Sequence, residues 1–144
     1  MAWRIPKMKT ITGITETALY TGDLPRAVHF YGTILGLKSL TGDARFHAFS
    51  VADRHVLLLF LKGTSLTPTR LPGGVVPPHD GTGPVHIGFS VAPGTLEEWE
   101  AHLQMHAVGI EGRVTWERGG ESIYFRDPDG HLLEMLTPGV WAIF

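Results

Sequence analysis

The sequence predicts an α+β fold built from two βαβββ modules in a single chain. Three observations carry this expectation. Strand and helix signals run in the order strand, helix, three strands, and then run through that order again, a repeat of roughly 55 residues. The strand signals are short aliphatic or β-branched runs, whereas the helix signals place apolar residues at helical spacing. Between the two passes, glycine and proline displace any regular pattern. The expected organisation is one domain over residues 1–144, with a first module at about 11–62, a linker at 63–83, a second module at about 84–137 and a tail at 138–144.

Ile11 to Tyr20 is rich in β-branched residues and reads as the first strand, with Glu16 on the face of Ile14 and Ala18. Asp23 suits a helix N-cap, and Leu24, Ala27, Val28, Tyr31 and Leu35 follow as a buried stripe. Gly36 suits the position just past the helix end, where positive φ is required. Leu37 to Leu40, Phe46 to Val51 and His55 to Leu61 supply three strands, with turns at Gly42-Asp43 and Ala52-Asp53-Arg54. From Gly63 to Gly83, the density of glycine and proline predicts a linker or lid without regular structure, long enough to suggest a role of its own.

Val85 to Val91 begins the second pass. Thr95 caps a helix whose stripe is Leu96, Trp99 and Leu103, and Glu97, Glu98 and Glu100 suit its positive N-terminal end. Ile110 to Trp116, Ser122 to Phe125 and Leu132 to Leu136 complete the module. Asp127-Pro128-Asp129-Gly130 supplies a tight turn, in which proline presets φ, glycine accepts positive φ and the aspartates bond nearby backbone.

The balance of 43% hydrophobic and 18% charged residues is that of a soluble domain able to bury a core. A net charge of −2 offers no footprint for nucleic acid or an anionic membrane. Met1 to Lys9 carries Arg4, Lys7 and Lys9 without a long apolar core, so neither a signal peptide nor a membrane span is expected there, and a cytoplasmic location is the default. Without cysteine there is no disulfide, thiolate metal site or thiol nucleophile. Eight histidines and fourteen carboxylates leave a metal site only N and O ligands.

Glu134 is the anomaly in the sequence. Alternation puts it on the same strand face as Leu132 and Leu136, where a carboxylate is costly unless hydrogen-bonded, paired or metal-bound. Laying the second module over the first makes Glu16 equivalent to His86, and Leu58 equivalent to Glu134. Three of these four positions can bind a metal. Each also has a plainer reading: a surface glutamate for Glu134, a core histidine for His86, and a salt bridge to an arginine for Glu16. Ser122 and Tyr124 alternate with Ile123 and share a face. His79, in the linker, could act as an acid or base toward a cavity. Arg118 and Arg126 could hold an anionic group or pair with surface carboxylates. His102 and His106 stand at i, i+4 on a helix, where an exposed face is expected, and His55 and His131 are equivalent turn residues with structural roles.

Asp-Leu-x-x-Ala-x-x-Phe-Tyr-x-x-x-Leu-Gly-Leu (Asp23 to Leu37), His-Ile-Gly-Phe (His86 to Phe89) and Phe-Arg-Asp-Pro-Asp-Gly-His-x-x-Glu (Phe125 to Glu134) resemble the vicinal oxygen chelate superfamily. Its members include glyoxalase I, extradiol dioxygenases, fosfomycin-resistance enzymes and metal-free bleomycin-resistance proteins. The resemblance spans about Ile11 to Pro138. It implies that each module is an open half-barrel, that half-barrels face each other around a cavity, and that the first and last strands of the modules carry the ligands. Those positions are Glu16, Leu58, His86 and Glu134. Leu58 cannot ligate, Glu16 stands where the dioxygenases place a histidine, and Val114 stands near the place of the fosfomycin enzymes' lysine.

The implied function is that of a glyoxalase- or dioxygenase-type enzyme. One divalent ion on Glu16, His86 and Glu134 chelates neighbouring oxygens of a small substrate and stabilises an enolate-like or oxyanion intermediate. The hard N/O set suits Zn, Ni, Mn, Fe or Co. Glu16 and Glu134 are the candidate catalytic carboxylates, and Tyr124, Ser122 and His79 the candidate substrate contacts. The carboxylate in place of a histidine favours isomerase- or lyase-type proton chemistry over O₂ chemistry. The alternative is a metal-free binding protein of the bleomycin-resistance type, its cavity lined by Phe46, Phe60, Trp116, Tyr124 and Trp141. That reading needs apolar residues at the ligand positions; Leu58 obeys it, and Glu16, His86 and Glu134 do not. The resemblance also implies a homodimer, and leaves open whether Glu16 reaches the metal in its own chain or from the other subunit.

Overall fold

The computed structural model describes residues 9–144, so all but the last residue of the expectation for Met1 to Lys9 lies outside it. Among the described residues no helix is long and apolar enough to cross a membrane. The first module runs β1 (Glu16–Thr21), α1 (Leu24–His29), β2 (Lys38–Gly42), β3 (Phe46–Val51) and β4 (His55–Leu61). A hairpin of β5 (Thr69–Leu71) and β6 (Gly74–Val76) follows, and then β7 (His86–Ser90), α2 (Leu96–Met105), β8 (Gly112–Thr115), β9 (Glu121–Arg126) and β10 (Leu132–Leu136). The two main sheets have matching orders, β1-β4-β3-β2 and β7-β10-β9-β8. Each module thus brings its first strand back beside its last, in parallel.

Local chemistry accounts for the boundaries. The Asp23 carboxylate accepts the Arg26 N–H at 3.1 Å and caps α1, with Pro25 in its first turn. The expected helix through Leu35 is not uniform: it widens at Phe30–Ile34 into a π turn, in which the Leu35 N–H reaches the Phe30 carbonyl at 3.0 Å. Gly36 then takes φ of +73° and ends it, as expected. The first strand is shorter than the β-branched run suggests, because Ile11 and Ile14 are exposed and find no partner strand. The linker expectation is corrected. Pro72-Gly73 makes a turn that lets Leu71 and Gly74 pair, so the segment carries a short hairpin despite its composition.

One core serves both modules. Leu19, Phe49, Leu57 and Leu59 from the first sheet meet Ile123, Phe125, Leu133 and Met135 from the second, with Leu24, Ala27, Phe30, Tyr31 and Leu103 between them. Burying each large side chain contributes about 1.5–3 kcal/mol. These strand residues are the odd-numbered ones, so the even-numbered residues Glu16, Ala18, Leu58 and His86, Gly88, Glu134 lie on faces turned away from this shared core.

The Asp127-Pro128-Asp129-Gly130 turn does more than reverse the chain. Asp127 accepts the N–H groups of Asp129 and His131 at 2.9 Å each on one oxygen, and the Tyr31 hydroxyl at 2.6 Å on the other. Asp129 accepts the Thr21 hydroxyl at 2.6 Å and the Gly22 N–H at 3.0 Å. Asp127 thus bonds nearby backbone as expected, and the turn is in addition bolted to the first module. The His131 Nδ1 accepts the Val85 N–H, which makes Nε2 the donor to the Tyr20 carbonyl at 3.1 Å and ties β10 to β1. His102 departs from the exposed face expected of it, since its Nε2 donates to the Ile34 carbonyl at 2.7 Å across the module boundary.

Candidate metal centre

The parallel pairing of β7 with β10 brings His86 and Glu134 together. The registered neighbours are His86 with Leu132, and Gly88 with Glu134. The first module repeats this register, with Glu16 beside Val56 and Ala18 beside Leu58. The equivalences read from the repeat, Glu16 with His86 and Leu58 with Glu134, are thus equivalences of position in the sheet.

His86 Nε2 lies 3.2 Å from Glu134 Oε1, and its Nδ1 lies 2.8 Å from the Leu132 carbonyl oxygen. A carbonyl only accepts, so Nδ1 carries a proton, and a neutral ring then presents the Nε2 lone pair to a carboxylate oxygen. Two acceptors facing each other at that distance repel unless a cation, or a proton on Nε2, stands between them. The other carboxylate oxygen is held from below: Ser122 donates to Glu134 Oε2 at 2.5 Å, and Trp116 Nε1 donates to Ser122 Oγ at 2.8 Å. Glu134 is only 7% exposed, so this hydroxyl is what makes its burial tolerable. Gly88 leaves space beside the pair, since a Cβ there would meet Leu136 at 3.0 Å and Glu134 Oε1 at 3.8 Å.

Tyr124 sits across β9 from Glu134 and stacks on the His86 ring, with centroids 6.2 Å apart. Burial, and then the Glu134 carboxylate, push its hydroxyl above the usual tyrosine range, so it remains a donor at neutral pH. Ser122, Tyr124, His86 and Glu134 therefore occupy one patch, the buried glutamate at its base and the half-exposed histidine at its rim.

Glu16 does not join them within the chain. Among the described residues no three His, Asp or Glu side chains stand close enough to hold an ion. Glu16 lies exposed on the outer face of the first sheet, at the edge of a separate cavity that also takes in Leu58, Phe46, Phe60 and His79. Arg126 pairs with Glu111 at 3.0 Å, the surface pairing rather than the substrate-holding alternative. Trp141 is 68% exposed and outside that cavity. Sequence reading missed Trp116 as the group that orients Ser122. A signal was available, because Trp116, Ser122 and Glu134 fall on three neighbouring strand segments, but which indole edge faces the hydroxyl depends on the turn at 117–120.

Ser122→Ala is expected to weaken binding of a divalent ion about 10- to 100-fold, by freeing Glu134 Oε2 to rotate, while His86 stays in place. Isothermal titration with Zn²⁺ or Mn²⁺ measures it.

The family model of the Glyoxalase/Bleomycin resistance protein/Dioxygenase superfamily matches residues 13–135. Among curated proteins, the metallothiol transferase FosB of Staphylococcus saprophyticus is 28% identical over 128 residues, covering 88% of this chain and 78% of that protein. The metallothiol transferase FosB of Bacillus licheniformis is 29% identical, covering 91% and 79%. Among solved structures, a lactoylglutathione lyase from Agrobacterium tumefaciens superposes with a TM-score of 0.83 at 29% identity, covering 93% of this chain and 99% of that one.

Proposed function

The chain belongs to the Glyoxalase/Bleomycin resistance protein/Dioxygenase superfamily, and from that premise we propose that it is a metal-dependent enzyme acting on a small oxygenated substrate. His86 and Glu134 are two ligands of one divalent ion, and Glu16 of a second copy of the chain is the third. The observation that carries this is His86 Nε2 placed 3.2 Å from Glu134 Oε1, with Nδ1 tied to the Leu132 carbonyl and Oε2 to Ser122. The N/O donor set suits Zn, Ni, Mn, Fe or Co.

A bound ion supplies Lewis-acid polarisation of the substrate's oxygens. The protein's own groups do the rest. Ser122 and Trp116 hold Glu134 at one oxygen and leave the other directed at His86. The Leu132 carbonyl fixes the His86 tautomer. Tyr124, kept protonated beside Glu134, donates a hydrogen bond to a substrate oxygen. Glu16 is the exposed carboxylate suited to move a proton at a carbon next to a carbonyl, which favours isomerase- or lyase-type chemistry over O₂ chemistry.

The facing of the two sheets supports a homodimer. Glu16 and the His86–Glu134 pair lie on surfaces turned away from the core that joins their sheets. A complete set therefore calls for the first module of one copy to cover the second module of another.

Elemental analysis of purified protein, and of protein reconstituted with each of the five metals, tests the reading alongside light scattering. The expected result is about one ion per chain in a dimer. A protein that takes up no ion under any of these conditions is instead the metal-free binding protein, with a proton on Nε2 filling the gap.

A further inference from the structure

The strongest feature outside the candidate metal centre is the cavity of about 470 Å³ between the first sheet and the linker. That size lies within the range of small-molecule sites. Its floor is the even-numbered face of β1, β3 and β4, and its roof is the hairpin and His79. We propose that this cavity binds an aromatic carboxylic acid, the ring against Phe60 and the carboxylate at Arg45. The proposal rests on the enzyme reading only in taking this acid to be the non-reacting end of the substrate; the residues that line the cavity all belong to one chain.

The aromatic wall is built, not incidental. Phe46 and Phe60 are stacked with centroids 5.9 Å apart, Tyr20 and Phe60 with centroids 6.0 Å apart, and His79 meets Phe60 edge-on at 4.5 Å. His79 is held there by the Tyr20 hydroxyl at 2.8 Å from Nδ1 and by its own N–H on the Ser65 carbonyl at 2.9 Å. The linker passes so close to this wall that a Cβ at Gly81 would fall 2.4 Å from the Tyr20 ring. A planar ring is the shape that such walls accept.

The polar groups of the cavity have bonding capacity to spare. Ser65 is 2% exposed, lines the cavity, and its hydroxyl has no hydrogen-bond partner, a costly state that a ligand acceptor would relieve. The Arg45 guanidinium makes no ion pair among the described residues, and touches only the Thr69 hydroxyl of the hairpin at 3.4 Å. Asp43 accepts the N–H groups of Arg45 and Phe46 and feels the Arg45 charge without forming an ion pair with it, and Asp80 accepts the Gly63 N–H. Glu16, the remaining carboxylate of the cavity, stands four residues along β1 from Tyr20, about 13 Å at strand spacing. The Glu16 carboxylate therefore lies at one end of the cavity and the Arg45 guanidinium at the other. An acid with its carboxylate at Arg45 directs its opposite end toward Glu16.

Titration calorimetry with 1-naphthoate and its neutral amide tests this, on metal-free and metal-loaded protein. Saturable binding of the acid is expected, about 10- to 100-fold tighter than the amide, and Arg45→Ala removes that preference while leaving the amide unchanged. Phe60→Ala weakens both ligands. Arg45 is exposed, so its variant retains the fold, and circular dichroism verifies it. Absence of binding, equal binding of acid and amide, or a preference that survives Arg45→Ala overturns the proposal. Naphthoate binding in a protein that takes up no metal upholds the cavity and rejects the enzyme reading; metal uptake without naphthoate binding does the reverse.

Discussion

Glu134→Gln is expected to abolish metal binding while leaving the metal-free protein at least as stable as the parent. The amide keeps the shape and can still accept from Ser122, but it removes a charge that is only 7% exposed. Burying an ionised carboxylate is costly, and its neutral isostere avoids that cost. The parent, by contrast, gains stability when loaded: an ion at about 100 times its dissociation constant adds about 2.7 kcal/mol. Thermal melts with and without metal therefore give a shift in the parent and none in Glu134→Gln, and His86→Ala likewise loses the shift. A metal-dependent shift retained in Glu134→Gln would place the ion elsewhere. Because Glu16 and Glu134 are assigned to different copies, a mixture of Glu16→Ala and Glu134→Ala chains should recover ion binding that neither variant shows alone. Recovery requires that the dimers exchange subunits, which light scattering on differently tagged chains establishes.

The largest loss of stability is expected from Asp127. Its buried carboxylate accepts three hydrogen bonds, two from its own turn and one from Tyr31 in the other module. Asp127→Ala leaves those donors without an acceptor and unbolts the turn, and is expected to cost about 3–5 kcal/mol, since hydrogen bonds to charged groups are each worth about 1.5–3 kcal/mol and are not additive. Tyr31→Phe removes one of the three and is expected to cost about 1.5–3 kcal/mol. Urea unfolding measures both as a shift in midpoint at constant slope. Tyr31 also fixes the sign of an alkaline effect. Burial, and then the Asp127 charge, push its hydroxyl far above the usual tyrosine range in the folded protein. The unfolded chain therefore loses this proton first, near pH 10, and the contribution is complete below that pH and declines above it, by up to about 1.4 kcal/mol per pH unit. In Tyr31→Phe the decline above pH 10 should be shallower by that amount. An identical slope in the two proteins would show that Tyr31 ionises in the fold.

The two-module fold was legible because it rests on periodicity. Leu57 and Leu59 alternate with Leu58, and Leu133 and Met135 alternate with Glu134, so each strand declares its inner face locally. Gly36 and the Asp23 cap mark the ends of the first helix for reasons internal to a few residues. The linker hairpin was hidden for the opposite reason. Glycine and proline forbid long strands, yet three residues on either side of Pro72-Gly73 are enough for one short ladder, and composition does not register so short a pairing.

The candidate site divides along the same line. The repeat alone determined that Glu16, Leu58, His86 and Glu134 are equivalent positions, because a duplicated unit carries its register with it. Alternation alone determined that Glu134 shares a face with apolar neighbours and needs a partner. The tertiary structure decided what that partner is. The Leu132 carbonyl sets which His86 nitrogen carries the proton, Ser122 and Trp116 take one carboxylate oxygen, and the shared core turns Glu16 away from the pair within its own chain. Tautomer, bond direction and the relative facing of two sheets arise only when segments distant in sequence meet, and no local pattern encodes them.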